Sequence, residues 1–416
     1  MAKSGGDDVC DQRIDELKTF VIENDLILSE ILNSFSAAHL WRSRLVCKRW
    51  PKIARQLIQD RPGEVIFILQ YTEKFWKNYI PRPRGKFVDK AQQFLVSLVN
   101  KTTNLMRTPN ADREHVTHLL SDYILNEMRC LPKFCIFFTT NSKTADELGQ
   151  KSVVPNISQL AILTSSGLIA TQKLGKNLWE IESSSGYNVN AMAGCIFSDR
   201  YDDYKITVTS WSPNGCEEPN LKDPEYPAKC ILLFSADLPR SPQLQEFLRK
   251  IPSHIALGGG SVYSINSPQL VNEKNDNSYC RHPTSIVFAG KNIQAASLVV
   301  MDKFDRNETI EKLKQFRHSL PFDVDQYDSR AHTMGFLFIC NGKGRFFYRN
   351  KFNVEADAIF KIFPRVNFTG AYVAGEFGHT YVESESQKEC DDACKALHHL
   401  TYSTVIVLIH FSRKSG

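Results

Sequence analysis

Between residues 64 and 411 the chain alternates strand-length apolar runs with stretches of helical periodicity, an order that suits sheets covered by helices. Runs rich in Val, Ile, Phe and Thr fall at 64–71, 134–139, 159–163, 193–197, 205–210, 230–234, 254–257, 284–289, 295–301, 334–340, 369–374 and 402–411. Apolar residues recur at helical spacing over 89–106, 113–129, 243–250, 308–320, 354–363 and 388–399. Asn307 and Asn353 stand where helix N-caps are expected, with Glu308 and Glu355 in the first turns that follow. The expected fold is α+β: a small N-terminal helical hairpin, then a mixed α/β body with two sheet-containing parts. No repeat of fixed period is visible, which disfavours solenoids and propellers.

A chain of 416 residues is long for one core, and two stretches read as boundaries, the basic Arg82-Pro83-Arg84-Gly85-Lys86 and the polar 266–283. The expected division is a flexible N-terminus over 1–19, a helical unit over 20–60, an α/β region over 61–250 and a second α/β domain over 251–416. A net charge of +5, from 51 basic and 46 acidic residues, is too small and scattered to point to nucleic acid as a direct partner. No apolar run approaches the roughly 18 residues a membrane helix needs, and Met1 to Asp8 carries no apolar signal region. The 11 cysteines show no paired spacing, and Cys135, Cys230 and Cys340 sit in apolar runs, the pattern of reduced core thiols in a cytosolic or nuclear protein.

The densest information lies in 31–50. Leu28, Ile31, Leu32 and Phe35 share one helical face, Ser36-Ala37-Ala38 breaks the run, and Leu40, Trp41, Leu45, Val46 and Trp50 resume it. A hairpin this small cannot hide so many large apolar side chains, each worth about 1.5 to 3 kcal/mol on burial, so it needs a partner. With its ending Leu45-Val46-Cys47-Lys48-Arg49-Trp50, the segment resembles an F-box. The usual Leu-Pro start of that family is replaced by Glu23-Asn24-Asp25-Leu26, where Asn24 or Asp25 can cap the helix. The resemblance implies docking onto a Skp-type adaptor and cullin-RING scaffold through Leu28, Ile31, Leu32, Phe35, Leu40, Leu45, Val46, Cys47 and Trp50.

In the body, Met334 to Gly344 reads as a buried strand running into a Gly-x-Gly turn, and 353–364 as a capped helix ended by Pro364. Phe368 to Gly378 follows, closing on Gly375-Glu376-Phe377-Gly378. This succession, with Gly258-Gly259-Gly260 upstream, resembles a FIST domain. F-box followed by FIST implies a non-enzymatic substrate receptor of an SCF-type ubiquitin ligase, in cytoplasm and nucleus. Its body would recruit a protein, such as a chromatin or transcription regulator, for proteasomal degradation. The alternative is a FIST protein that senses an amino-acid-like ligand and carries a degenerate F-box.

No metalloprotease, nucleophile-elbow or Walker motif appears, so neither a catalytic set nor a cofactor is expected. Gly342-Lys343-Gly344 reads as a tight hairpin turn leading into a strand at Arg345-Phe346-Phe347-Tyr348-Arg349 rather than a phosphate cradle, and Gly258 to Gly260 reads as a turn as well. Cys340 lies near Lys343 and Arg345, which would lower its pKa if it were exposed; a buried structural thiol is the competing reading. Cys390, Cys394 and His398 cannot share one zinc ion from one helix, since Cys390 and His398 would stand about 12 Å apart. The candidate substrate- or ligand-binding residues are Cys340, Asn341, Gly342, Gly344, Gly375 and Glu376.

Overall fold

The computed structural model describes residues 20, 24–45, 50–59, 64–70, 115–126, 128, 130, 132–150, 159–171, 177–182, 190–198, 204–210, 221–236, 242–267, 283–301, 306–326, 331–349, 351–383 and 399–412. The expected helix at 89–106, the boundaries at 82–86 and 268–282, and most of the helix at 388–399 lie outside these residues, while His399 itself is on a strand. Among the described residues, three short helices open the chain's N-terminal part: α1 (Asp25–Asn33), α2 (Ala37–Ser43) and α3 (Trp50–Gln59). Asn24 caps α1, its Oδ1 accepting from the N–H groups of Leu26 at 3.1 Å and Ile27 at 3.2 Å. Ser36 does the same for α2 through the His39 N–H at 3.3 Å, so the small-residue break is the start of a helix. The unit is a trio rather than a hairpin. Leu28, Leu32, Leu40, Ala54 and Ile58 fill its core, with Phe35, Trp50, Ile53 and Leu57 packed around them.

The body then runs β1 (Glu64–Gln70), α4 (His115–Asn126), β2 (Pro132–Thr139), α5 (Ser142–Gln150), β3 (Gln159–Thr164), β4 (Gly167–Thr171), β5 (Leu178–Glu182), β6 (Asn190–Ser198), β7 (Tyr204–Ser210) and β8 (Ala228–Ser235). It continues α6 (Pro242–Lys250), β9 (Ala256–Ser261), β10 (Ser264–Asn266), β11 (Thr284–Gly290), β12 (Ile293–Met301), α7 (Arg306–Ser319), β13 (Ala331–Cys340) and α8 (Val354–Ile362). The last strands are β14 (Asn367–Val373), β15 (Glu376–Phe377), β16 (Tyr381–Val382), β17 (His399–Leu400) and β18 (Ser403–Ser412). The fold is α+β as expected. The strands form three sheets, in the orders β1-β6-β2-β3-β10, β17-β15-β9-β8-β11-β7 and β16-β12-β18-β13-β14-β4-β5. Each sheet draws strands from both sides of residue 250, so that position does not separate two cores.

Each sheet holds a parallel pair bridged by a helix: β2-α5-β3, β8-α6-β9 and β13-α8-β14. Parallel neighbours cannot be joined by a hairpin turn, which is why the glycine turn after β13 is not one. Phe138 of β2, Phe234 of β8 and Phe338 of β13 meet with ring centroids 5.5 to 6.2 Å apart, so one aromatic from each sheet closes the centre. Along β13 the alternation sends Phe336 and Phe338 into that centre, and Leu337 and Ile339 onto α7 and α8. Gly258, Gly259 and Gly260 lie inside β9, not in a turn. A Cβ at Gly259 would stand 1.9 Å from the Leu233 carbonyl oxygen, and one at Gly258 2.4 Å from Val407, so these glycines exist for close packing. Cys130, Cys135, Cys195, Cys230 and Cys340 are buried.

Candidate recognition site

The helical trio divides the expected adaptor-binding residues. Leu28, Leu32 and Leu40 are buried in the trio's own core and have no surface to offer; Phe35 and Trp50 are half-buried against it. Val46 and Cys47 lie outside the described residues. What remains at the surface is Ile31 and Leu45, joined by Leu26 and Trp41, with Leu26 80%, Leu45 89% and Trp41 55% exposed. The Arg44 guanidinium lies 3.9 Å over the Trp41 ring and leaves the rest of it open.

The second set converges where β13 ends. Cys340 is the last residue of the strand, and a single 3-10 turn over Asn341–Lys343 follows. The segment Arg345 to Arg349 is a succession of turns, not the strand expected there, held by Phe347 N–H to the Gly344 carbonyl at 2.9 Å and Arg349 N–H to the Phe346 carbonyl at 3.2 Å. Asn341 and Gly342 are exposed, Gly342 facing the Tyr402 ring; Gly344 is buried against the Glu182 carboxylate. Gly375, with φ of 99°, makes the bend into β15, whose first residue, Glu376, is fully buried. Glu376, expected among the binding residues, is therefore interior, paired to Gly260 of β9. Burial raises the Glu376 carboxyl above its ordinary value even though the Ser403 hydroxyl donates to it at 2.7 Å and the Ser403 N–H at 3.2 Å.

Of the two readings of Cys340, the structure has the buried structural thiol and not the activated one. Burial, and after it the neighbouring Glu376 carboxyl, push the thiol up to about 11. Lys343 does not compensate, because its ammonium turns inward to Glu355 at 2.5 Å and to the Thr404 hydroxyl at 3.0 Å.

Beneath the turns lies a network that the sequence did not announce. Glu355, in the first turn of α8, accepts hydrogen bonds from the Tyr348 and Thr404 hydroxyls as well as the lysine. Glu180 of β5 accepts from the Ala356 N–H at 2.5 Å and the Tyr372 hydroxyl at 3.0 Å, and its own N–H donates to the Asn353 Oδ1 at 2.9 Å. Glu182 accepts from the Arg345 N–H at 2.6 Å. Burial first, then the Glu355 charge, push the Glu180 carboxyl up to about 8, which favours its protonated form in the fold. The network has a mechanical role: it fixes the 341–353 segment to β5, α8 and β18.

The chain is similar to F-box only protein 22. The proteins of that name from Homo sapiens and Pongo abelii are each 30% identical to it over 160 residues. The alignment covers 38% of this chain and spans 38% of the length of each relative. No family model matches.

The signals missed in the sequence were of two kinds. Glu180 and Glu182 sit in the short Leu178-Trp179-Glu180-Ile181-Glu182, which two acids disguise as surface. The exposed aromatics Phe346 and Phe347 were read as part of a strand. Asn353, by contrast, was found as an N-cap, but its side chain reaches across to β5 and makes no capping bond within its helix.

Proposed function

We propose that this protein is a substrate receptor of an SCF-type cullin-RING ubiquitin ligase, acting in cytoplasm and nucleus, with residues 20–60 as the adaptor-docking unit. The observation that carries the reading is the helical trio. It has filled its own core and still exposes Leu26, Ile31, Trp41 and Leu45. A patch of this kind on a small helical unit marks a binding surface. The relationship to F-box only protein 22 supports an adaptor of the Skp type as its partner. The body, built on the FIST pattern, holds a protein, such as a chromatin or transcription regulator, for ubiquitination. The reaction takes place on other subunits, and the receptor contributes proximity. Amino-acid-like ligand sensing gains nothing from Gly258 to Gly260, whose surroundings are filled by Val407, Phe338 and Val373.

The test is co-purification of the full chain with a Skp-type adaptor, wild type beside Ile31→Glu/Leu45→Glu. The expected result is a complex with wild type that the double variant loses while its thermal unfolding is unchanged, since neither side chain is in the core. A complex retained at equal affinity, or none with wild type, overturns the reading.

A further inference from the structure

The segment following β13 presents a surface that nothing above assigns. Phe346 is 67% exposed, Tyr402 49% exposed, and Phe347 is exposed between them, its ring centroid 6.3 Å from that of Tyr402. The Arg345 guanidinium stacks 4.6 Å over Phe346. Arg349 and Lys351 are exposed on the same segment. The acids that meet this segment, Glu182 and Glu355, are buried and occupied by the Arg345 N–H, Lys343, Tyr348 and Thr404. Among the described residues of 341–351, the charge left at the surface is positive.

The segment is also held in place. Beside the turn hydrogen bonds and the inward Lys343, the non-glycine residues with left-handed backbone among the described residues are Arg349 at φ 54° and Asn353 at 55° on this segment, and Tyr402 at 52°, whose ring meets Phe347. Such conformations persist only where the surroundings enforce them, and they concentrate at clamps and binding sites. An aromatic and arginine surface that is already ordered spends little entropy when a partner arrives.

We propose that Phe346, Phe347 and Tyr402, ringed by Arg345, Arg349 and Lys351, form a docking site for an acidic segment of a partner protein that also carries a large apolar side chain. The rings take the apolar side chain and the cations take the flanking carboxylates. Charge complementarity selects this partner over a basic one, and rigidity suits a short linear segment rather than a folded surface that must adapt. The inference rests on the reading of the body as the protein-recruiting half of the molecule and names the chemistry of what it recruits.

The test uses the full chain and a fluorescein-labelled peptide in which Glu and Asp flank Leu and Phe, followed by fluorescence anisotropy. Its partner control replaces every acid by Lys. The acidic peptide binds, the basic one does not, and binding weakens as salt screens the pair. Phe346→Ala/Phe347→Ala and, separately, Arg349→Glu/Lys351→Glu each weaken binding roughly tenfold or more. All four side chains are at the surface, so unfolding curves of both variants overlay wild type; a third variant, Leu26→Ala, leaves peptide binding unchanged. Absence of peptide binding, equal binding of the basic peptide, or indifference to both double variants overturns the proposal. Concentration-dependent self-association of wild type that both variants abolish would assign the surface to a second copy of the chain and overturn it as well. If the Skp-type adaptor co-purifies and the peptide fails, this inference alone falls. If the adaptor fails and the peptide binds, the ligase reading falls and the docking site stands.

Discussion

Glu180→Gln converts the buried network into a measurable pH dependence. Folding moves the Glu180 carboxyl from an ordinary 4.5 to about 8. The folded state therefore keeps a proton that the unfolded state has released. The stability tied to that proton is fully present below pH 4.5 and drains away as pH rises to about 8, at about 1.4 kcal/mol per pH unit in mid-range. Between pH 6 and 8, where the fall is flattening, the loss comes to about 2 kcal/mol. A glutamine cannot ionise, and its carbonyl still accepts from the Ala356 N–H while its amide can donate to the Tyr372 hydroxyl. Glu182, Glu355, Tyr348, Tyr372 and Lys343 face the same site in both proteins, so their titration cancels to first order in the comparison. Urea unfolding followed by the fluorescence of the adjacent Trp179 gives the difference directly: wild type loses about 2 kcal/mol more than Glu180→Gln from pH 6 to 8. Parallel curves for the two proteins refute the argument. A slope removed by Glu355→Gln and untouched by Glu180→Gln would place the proton on the other carboxylate and refute the assignment.

Lys343→Met leaves Glu355 buried without its cation and costs about 3 to 5 kcal/mol; Lys343→Met/Glu355→Gln recovers most of that loss, and equal urea midpoints for the single and double variants would contradict it. Phe338→Ala opens a void where one ring from each sheet meets and destabilises by about 3 to 5 kcal/mol, with all three sheets losing hydrogen-exchange protection together rather than one alone.

The longer strands of the body were legible because β-branched and aromatic residues cluster at strand length, and the twelve runs from 64–71 to 402–411 each overlap a strand; the short β4, β5, β10, β15, β16 and β17 were not, and the strand expected at 345–349 is a succession of turns. What failed was placement between distant segments. The pairing of β4 with β14, or of β10 with β3, depends on partners about 200 and 100 residues away in the chain, and no local pattern encodes it. The same cause explains Cys340. Its sequence neighbours are basic, but its spatial neighbour is Glu376, brought there by β15. In the helical trio, Leu28 and Leu32 of the expected face are core while Ile31 is exposed, a division set by the packing of α3 that no local pattern encodes. The left-handed residues Arg349 and Tyr402 left no sequence signal at all, since neither is a residue type that favours that conformation.

The attachment of the helical trio to the body bears on how such a receptor would act. The Ala37 N–H donates to the Met128 carbonyl at 2.7 Å, and α2 packs on α4. Ala37, in the first turn of α2, and its Ser36 cap are both buried, so the joint is a packed interface and not a tether. A tethered docking unit samples many separations, and only a fraction of them bring a bound partner to the reactive centre. A packed one holds one separation. For a receptor whose whole contribution is proximity, that fixes which lysines of a recruited protein can be reached. Loosening the joint without touching either binding face, as by Ala37→Pro, which removes the N–H that reaches Met128 at a first helical position where proline is tolerated, would then spread modification over more lysines, read by mass spectrometry of the modified protein, while leaving adaptor affinity unchanged.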